Sequence, residues 1–273
     1  MSNLMSDQML ELAQSMLAMG DPQGALARCA EILAAEPGHA GAQALATLIQ
    51  CRSGQIAAYR INLDKRADRL AESRKNEMAS GFPENFIVRL PAVEDRDYGA
   101  VGCGKSHVAA LADAFSRQAS PYCMVLEDDF DFLRGADELF GVLGQMQRAG
   151  LQWDVLMLAG TYVRPLDQPS EAPFLLRLFE AQSTSGYIVN RPYIPHLLGC
   201  FAETVAQLER FRAAADARGF IGSRFAIDIA WKRLQQRDRW YIANPTFGHQ
   251  RADYSDIEGK VEDYSALNFY KWP

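Results

Sequence analysis

Tyr122-Cys123-Met124-Val125-Leu126-Glu127-Asp128-Asp129-Phe130 is the stretch whose reading decides the fold of this chain. Residues 122 to 126 are short and mostly apolar, the pattern of a buried strand. Three consecutive carboxylates follow at its C-terminal end. In open α/β sheets that edge is where ligands bind. Adjacent anions repel one another, and burying them without a cation is costly. A divalent cation removes the repulsion, and carboxylate oxygens suit Mg²⁺ or Mn²⁺, which also take phosphate oxygens from a substrate. The run therefore predicts a metal–nucleotide site. Taken by itself it also fits a solvated acidic turn.

Outward from this run, strand and helix patterns alternate. Ile56 to Leu63 reads as a strand, and Asp64 is placed to cap a helix reaching Met78. Phe86 to Leu90 is a second strand. Ser106 to Arg117 is a helix with Val108, Leu111, Ala112 and Phe115 inward. Gly135 to Arg148 is a helix, and Trp153 to Leu158 and Gly186 to Asn190 are strands. Helix resumes at Pro192, with further helical stretches at Phe201–Ala217 and Ala226–Gln236, and Trp240 to Ala243 is the last strand. Such alternation predicts an α/β fold, a mostly parallel sheet flanked by helices. Thr161 to Pro173 reads as a loop. The tail after Pro245 lacks periodicity, and its polar and aromatic residues suit a segment folded over the site.

Residues 5 to 52 read as helix throughout. Leu10, Ala13, Met16 and Leu17 share one face. Asp21-Pro22 opens a second helix, with Pro in the first turn. Glu36-Pro37-Gly38 stops it, and Ala40 to Ile49 form a third. Gly20, Ala25 and Pro37 have tetratricopeptide-like spacing, over about one and a half repeats. A unit of that size cannot bury its apolar face alone. The main domain, a protein partner or a second copy in a homodimer must cover it. Ser53-Gly54-Gln55 marks the boundary, dividing the chain into an all-α appendage, 1–53, and a domain at 54–273.

The 273 residues carry a net charge of −6, which argues against nucleic acid or an anionic membrane as main partner. Lys65, Arg66, Arg69, Arg74 and Lys75 still form a local basic patch. The five cysteines have no metal-finger or redox spacing, which fits a reducing compartment. No basic stretch precedes an apolar core near the start, and no apolar run approaches the roughly 20 residues of a transmembrane span. The expectation is a cytoplasmic protein, with peripheral attachment to the inner membrane left open.

Five segments, in order, resemble glycosyltransferase family 25, the lipopolysaccharide-biosynthesis and collagen galactosyltransferase group. They are Ala58–Leu70 (containing Ile61-Asn62-Leu63-Asp64-Lys65-Arg66), Gly102-Cys103-Gly104-Lys105-Ser106-His107, Val125–Asp129, Ser185–Arg191 and His249–Gly259. The resemblance covers about residues 56 to 260. It implies a GT-A type nucleotide-sugar-binding fold, a UDP-sugar donor, a Mn²⁺ or Mg²⁺ cofactor and inversion at the anomeric carbon. The implied reaction moves a hexose, galactose or glucose, to a saccharide acceptor of lipopolysaccharide or surface polysaccharide. A nucleotide-sugar hydrolase or pyrophosphorylase would use the same acids. A helical-repeat scaffold with an inactive transferase domain is the non-enzymatic alternative.

The resemblance also suggests roles. Asp129 and Glu127 would hold the metal, with His249 from the C-terminal segment completing the sphere, and Asp128 would meet the donor sugar or the metal; His249 also fits an ordinary surface or packing histidine. Asn62, Asp64 and Arg66 would meet the nucleotide, with Arg69 and Lys75 on a basic helix face. Ser106 and His107 are placed at a helix start, where Ser106 suits an N-cap; both become donor-pocket candidates. Ser185, Gly186 and Tyr187 would line the acceptor side, Gly admitting the ligand and Tyr stacking on a sugar. Asp228, an acid among apolar neighbours near a helix start, should have a raised pKa suited to a general base. It also suits a charge at a helix N-terminus. Asp256 is the next candidate base.

Overall fold

Ile56–Asn62 (β1) is buried along nearly its whole length, as a strand covered on both faces of a sheet must be. The computed structural model describes residues 3–117, 120–214, 226–255 and 260–263. β1 pairs in parallel with Ile87–Pro91 (β2) on one side and Tyr122–Glu127 (β3) on the other. The connections are helices Ala67–Ala79 (α4) and Gly99–Arg117 (α5). A short strand, Phe130–Phe132 (β4), leaves this sheet immediately after the acidic run, followed by Ala136–Arg148 (α6).

The rest of the sheet comes from Val155–Met157 (β5), Thr161–Asp167 (β6), Leu175–Gln182 (β7), Gly186–Asn190 (β8) and Trp240–Ala243 (β9). The order is β2-β1-β3-β8-β5-β9-β7-β6. Six of the eight strands run one way, and β8 and β7 run against them. The molecule thus has the expected α/β class, a large sheet flanked by helices. Alternation along the strands divides the core. Met124, Leu126, Leu156 and Ile188 pack with α6, whereas Val125, Val155, Tyr187 and Val189 pack with α5 and Ile194–Ala214 (α7).

Several boundaries differ from expectation. The Thr161–Pro173 loop is largely strand β6, an edge strand with register shifts around Pro165. Its partner β7 goes unnoticed in the sequence because its buried residues, Leu175, Leu178 and Ala181, recur at three-residue spacing. Helix α5 starts seven residues before Ser106. Gly102 and Gly104 lie inside it, where a Cβ would come within 2.5 Å of the Val93 carbonyl and 2.6 Å of Val205. They permit close packing. The buried face is His107, Ala110, Leu111 and Ala114, while Ala112 and Phe115 face outward. Asp64 caps nothing: the N-cap of α4 is Arg66, without a side-chain cap. The Ala226–Gln236 helix is two pieces, Ile227–Ala230 (α8) and Lys232–Arg237 (α9).

At the N-terminus, Asn3–Ala18 (α1), Pro22–Ala35 (α2) and Ala40–Arg52 (α3) close on one another around Ala13, Ala25, Cys29, Ile32, Ala42, Leu45 and Ile49. Asp21 caps α2, accepting from the Gly24 N–H at 2.9 Å. Helix α3 then packs against α6, so the main domain covers part of the appendage. No helix among the described residues is long and apolar enough to cross a membrane.

Arg60, in the middle of β1, is 1% exposed. Its Nε donates to Glu77 of α4 at 2.8 Å, and its Nη1 donates to the carbonyls of Glu127 and Phe130. The guanidinium therefore pins the turn that carries the acidic run. Removing one member of a buried pair leaves an uncompensated charge, typically at about 3–5 kcal/mol. Arg60→Met should lower stability by that order in urea unfolding. Arg60→Met with Glu77→Leu should recover most of the loss, because it removes both charges.

Candidate active site

The C-terminal ends of β1 and β3 lie side by side, with Ile61 opposite Glu127. This places Asn62 beside the acidic run. The turn after β3 is fixed by Phe130, whose fully buried ring sits against two glycines. A Cβ on Gly186 would come within 2.5 Å of that ring, and one on Gly248 within 2.3 Å. Gly248 belongs to Gly248–Gln250 (β10), which pairs with β4 and brings the C-terminal segment onto the site.

The three acids have different partners. Asp128 is 7% exposed, accepts from Asn62 Nδ2 at 2.7 Å and from Arg69 Nη1 at 2.9 Å, and is thereby neutralised within the chain. Glu127 Oε1 accepts from Thr184 Oγ1 at 2.5 Å and lies 3.1 Å from His107 Nε2. Burial favours its neutral form, but these bonds and the charge of Arg69 hold its carboxyl below the usual range.

Asp129 is the under-satisfied member. It is 8% exposed, and its Oδ2 accepts from Gln250 Nε2 at 3.2 Å, with Arg69 Nη1 at 3.6 Å. Its Oδ1 is buried without a hydrogen-bond partner. Burial and the charge of Glu127 push its carboxyl up to about 7, against the attraction of Arg69. An orphaned, hard carboxylate oxygen with an elevated pKa fits a divalent cation, which would satisfy the atom and remove the repulsion.

These groups open into a cavity of about 430 Å³, lined by Asn62, Lys65, Arg69, Glu94, Arg96, Cys103, Ser106, His107, Gln250 and the three acids. Six expected residues therefore converge here: Asn62, Ser106, His107, Glu127, Asp128 and Asp129. Ser106 is no N-cap. It lies mid-helix, its Oγ donating to the Gly102 carbonyl at 2.7 Å and accepting from the Val93 N–H at 2.8 Å.

Other expected residues are elsewhere. Asp64 is exposed and pairs with Arg89. Arg66 pairs with Asp68 and, at 3.3 Å, with Asp253 of Asp253–Ser255 (β11). Arg69, read as part of a surface face, is instead 7% exposed; its Nε donates to Asp253 at 2.8 Å and its Nη2 to the Tyr254 carbonyl at 2.8 Å. His249 is not among the residues that line the cavity with Glu127 and Asp129. It follows Gly248 and pairs across to Asp131, and alternation turns it away from the side Gln250 faces. Its Nδ1 is buried without a partner.

The acceptor-side residues are occupied by the protein itself. Ser185 Oγ is hydrogen-bonded to Ser183 Oγ at 2.9 Å, Gly186 abuts Phe130, and Tyr187 is fully buried. The Tyr187 hydroxyl lies 2.8 Å from His107 Nδ1 and its ring stacks on His107, so it has no free face for a sugar.

Asp228 stands in the first turn of α8, outside the cavity lining. Its Oδ2 accepts from the Ser183 N–H at 3.1 Å. Burial raises its pKa; the Ser183 hydrogen bond opposes this and the charge of Glu127 adds to it. Ser183 Oγ donates to Gln250 Oε1 at 3.0 Å, and Gln250 in turn donates to Asp129. A hydrogen-bonded path thus joins Asp228 to Asp129. Ser183 has φ +76°, a left-handed conformation uncommon for a non-glycine residue. Asp256 lies outside the described residues.

The residues missed from sequence are Gln250, Thr184, Arg89 and Cys103. Gln250, Thr184 and Cys103 sit within or beside motifs noted for a neighbour: His249, Ser185 and His107. Arg89 on β2 carries no signal of its own, and only the folded sheet shows its Nε donating to Asn62 Oδ1 at 2.9 Å.

No family model and no curated protein matches the chain. Among solved structures, the chain is similar to A197 from STIV, at 11% identity and TM-score 0.39, covering 80% of this chain and 95% of that one. It is also similar to mannose-1-phosphate geranyltransferase from Thermus thermophilus, at 14% identity and TM-score 0.37, covering 74% and 76%.

Proposed function

We propose that this chain is a glycosyltransferase of the GT-A type, moving a hexose from a UDP-sugar to a saccharide acceptor of a surface polysaccharide. Residues 54–273 would be the catalytic unit and 1–53 its helical appendage. The observation that carries this reading is Asp129: a buried, partly unpartnered carboxylate at a strand end, beside Glu127 and on the wall of a cavity. Asp129 and Glu127 would hold Mn²⁺ or Mg²⁺. The cation would neutralise charge that develops on the departing diphosphate.

The chain's own groups supply the rest. Lys65 and Arg96 line the cavity, both paired with Glu94 at 3.3 and 3.6 Å, and would have to exchange that carboxylate for a diphosphate. Asn62, whose amide donates to Asp128 and the Arg66 carbonyl and accepts from Arg89, would act by holding the cavity wall in place rather than by bonding the nucleotide. Asp228 has a raised pKa suited to a base, but it stands outside the cavity lining; it would take the acceptor proton from a hydroxyl entering beside Ser183, next to the cavity. Its link through Ser183 and Gln250 holds it in register with Asp129.

One observation favours a nucleotide-sugar hydrolase instead: Ser185, Gly186 and Tyr187 are used for packing, leaving the acceptor side without the residues assigned to it. Product analysis separates the two. With UDP-galactose or UDP-glucose and Mn²⁺, transfer gives UDP release that rises on adding a saccharide acceptor. Free hexose equal to UDP, indifferent to acceptor, would assign hydrolysis. No release with either donor would leave the scaffold reading.

A further inference from the structure

We propose that Cys103, His107 and Glu127 form a second cation site, one that takes a thiophilic ion such as Zn²⁺. Their ligand atoms all lie within 4.8 Å of one another, and among the described residues no other His, Cys, Asp or Glu group does this. Cys103 and His107 are four apart on α5, so they share one helix face, and Glu127 meets them from the end of β3. Three protein ligands of sulfur, nitrogen and oxygen, with the open cavity on the remaining side, suit a four-coordinate zinc with one exchangeable position.

The imidazole is already oriented for the task. Ligating histidines characteristically use their other ring nitrogen to hold the ring in place. Here His107 Nδ1 lies 2.8 Å from the Tyr187 hydroxyl, and the two rings stack. Without a cation, the His107 contact to Glu127 needs a proton on Nε2, because an ionised Glu127 only accepts. On binding, Zn²⁺ takes the place of that proton. The single ring proton moves from Nε2 to Nδ1, where it donates to the Tyr187 oxygen, so the ring stays neutral, and the Cys103 thiol releases its proton to solvent, one proton per ion bound. The neutral ring, thiolate and carboxylate then face the divalent ion with a net charge of zero.

Glu127 cannot serve both this ion and a hard cation on Asp129 at full strength. Zn²⁺ should therefore displace Mn²⁺ and inhibit; this competition rests on the function proposed above, whereas the thiophilic site itself does not.

Co²⁺ titrated into the full chain tests it, since cobalt on a thiolate gives a charge-transfer absorption. The expected result is one equivalent per chain with that band. Cys103→Ser should abolish the band, and Zn²⁺ should shield Cys103 from alkylation. The remaining cysteines are buried. Tyr187→Phe, which keeps the ring, should weaken Zn²⁺ binding about 10–100-fold. A band that persists in Cys103→Ser, or wild-type Zn²⁺ affinity in both variants, overturns the site. Mn²⁺ binding, followed separately by its paramagnetic resonance, reports on the Asp129 reading whatever the cobalt result.

Discussion

Asp129→Asn should abolish Mn²⁺-dependent binding of a UDP-sugar and, without metal, make the protein more stable at pH 8. The second effect is the unusual one. The carboxyl titrates near 7 in the folded chain and near its ordinary value when unfolded. A carboxylate whose pKa is raised on folding contributes fully below its unfolded pKa, and that contribution is lost as pH rises through the folded value. Wild type should therefore lose stability from this group between about pH 4 and 7, and the variant should not. A shift of about three pKa units sets an upper bound of ~4 kcal/mol, and roughly 2–4 kcal/mol is expected at pH 8. Urea unfolding in EDTA at pH 4.5 and 8 measures the difference. Mn²⁺ should then stabilise wild type at pH 8 and leave the variant unmoved. A variant less stable than wild type at pH 8 would mean that Arg69 and Gln250 already compensate the charge.

Asp228→Asn should bind donor and metal as wild type does, yet turn over about 10²–10⁴-fold more slowly. The amide keeps the shape and can still accept the Ser183 N–H, but it cannot take a proton at neutral pH. In wild type the rate should fall as pH drops through a pKa above the ordinary carboxylate range, because burial raises this group. The variant should lack that limb. If Asp228 instead serves only as a first-turn charge on α8, turnover stays near normal and the thermal midpoint falls.

The strands nearest the site were legible because they are short, apolar and bounded by polar residues. β1, β3, β8 and β9 all read that way. β6 and β7 did not, for opposite reasons: Pro165 disguised an edge strand, and three-residue spacing of Leu175, Leu178 and Ala181 imitated a helix face. The glycines of α5 lay before the helix start expected at Ser106; their close approach to Val93 and Val205 shows why the helix can include them.

Within the site, residue types near β3 were legible and pairings were not. Three acids in a row announce a charge problem, but only the fold shows that Arg69 settles it for Asp128 while Asp129 is left short of partners. Tyr187 shows the limit most clearly. A tyrosine next to a glycine on a strand fits a sugar platform or a core residue equally well, and contact with His107, eighty residues away in sequence, decides for the core.

The central claim is that a divalent cation on Asp129 joins this chain to a nucleoside diphosphate. Calorimetric titration of UDP into the full chain, in Mn²⁺ and again in EDTA, tests it most directly. Binding in Mn²⁺ should be at least about tenfold tighter, or ~1.4 kcal/mol, with the gain absent in Asp129→Asn. Equal UDP affinity in Mn²⁺ and EDTA would contradict it.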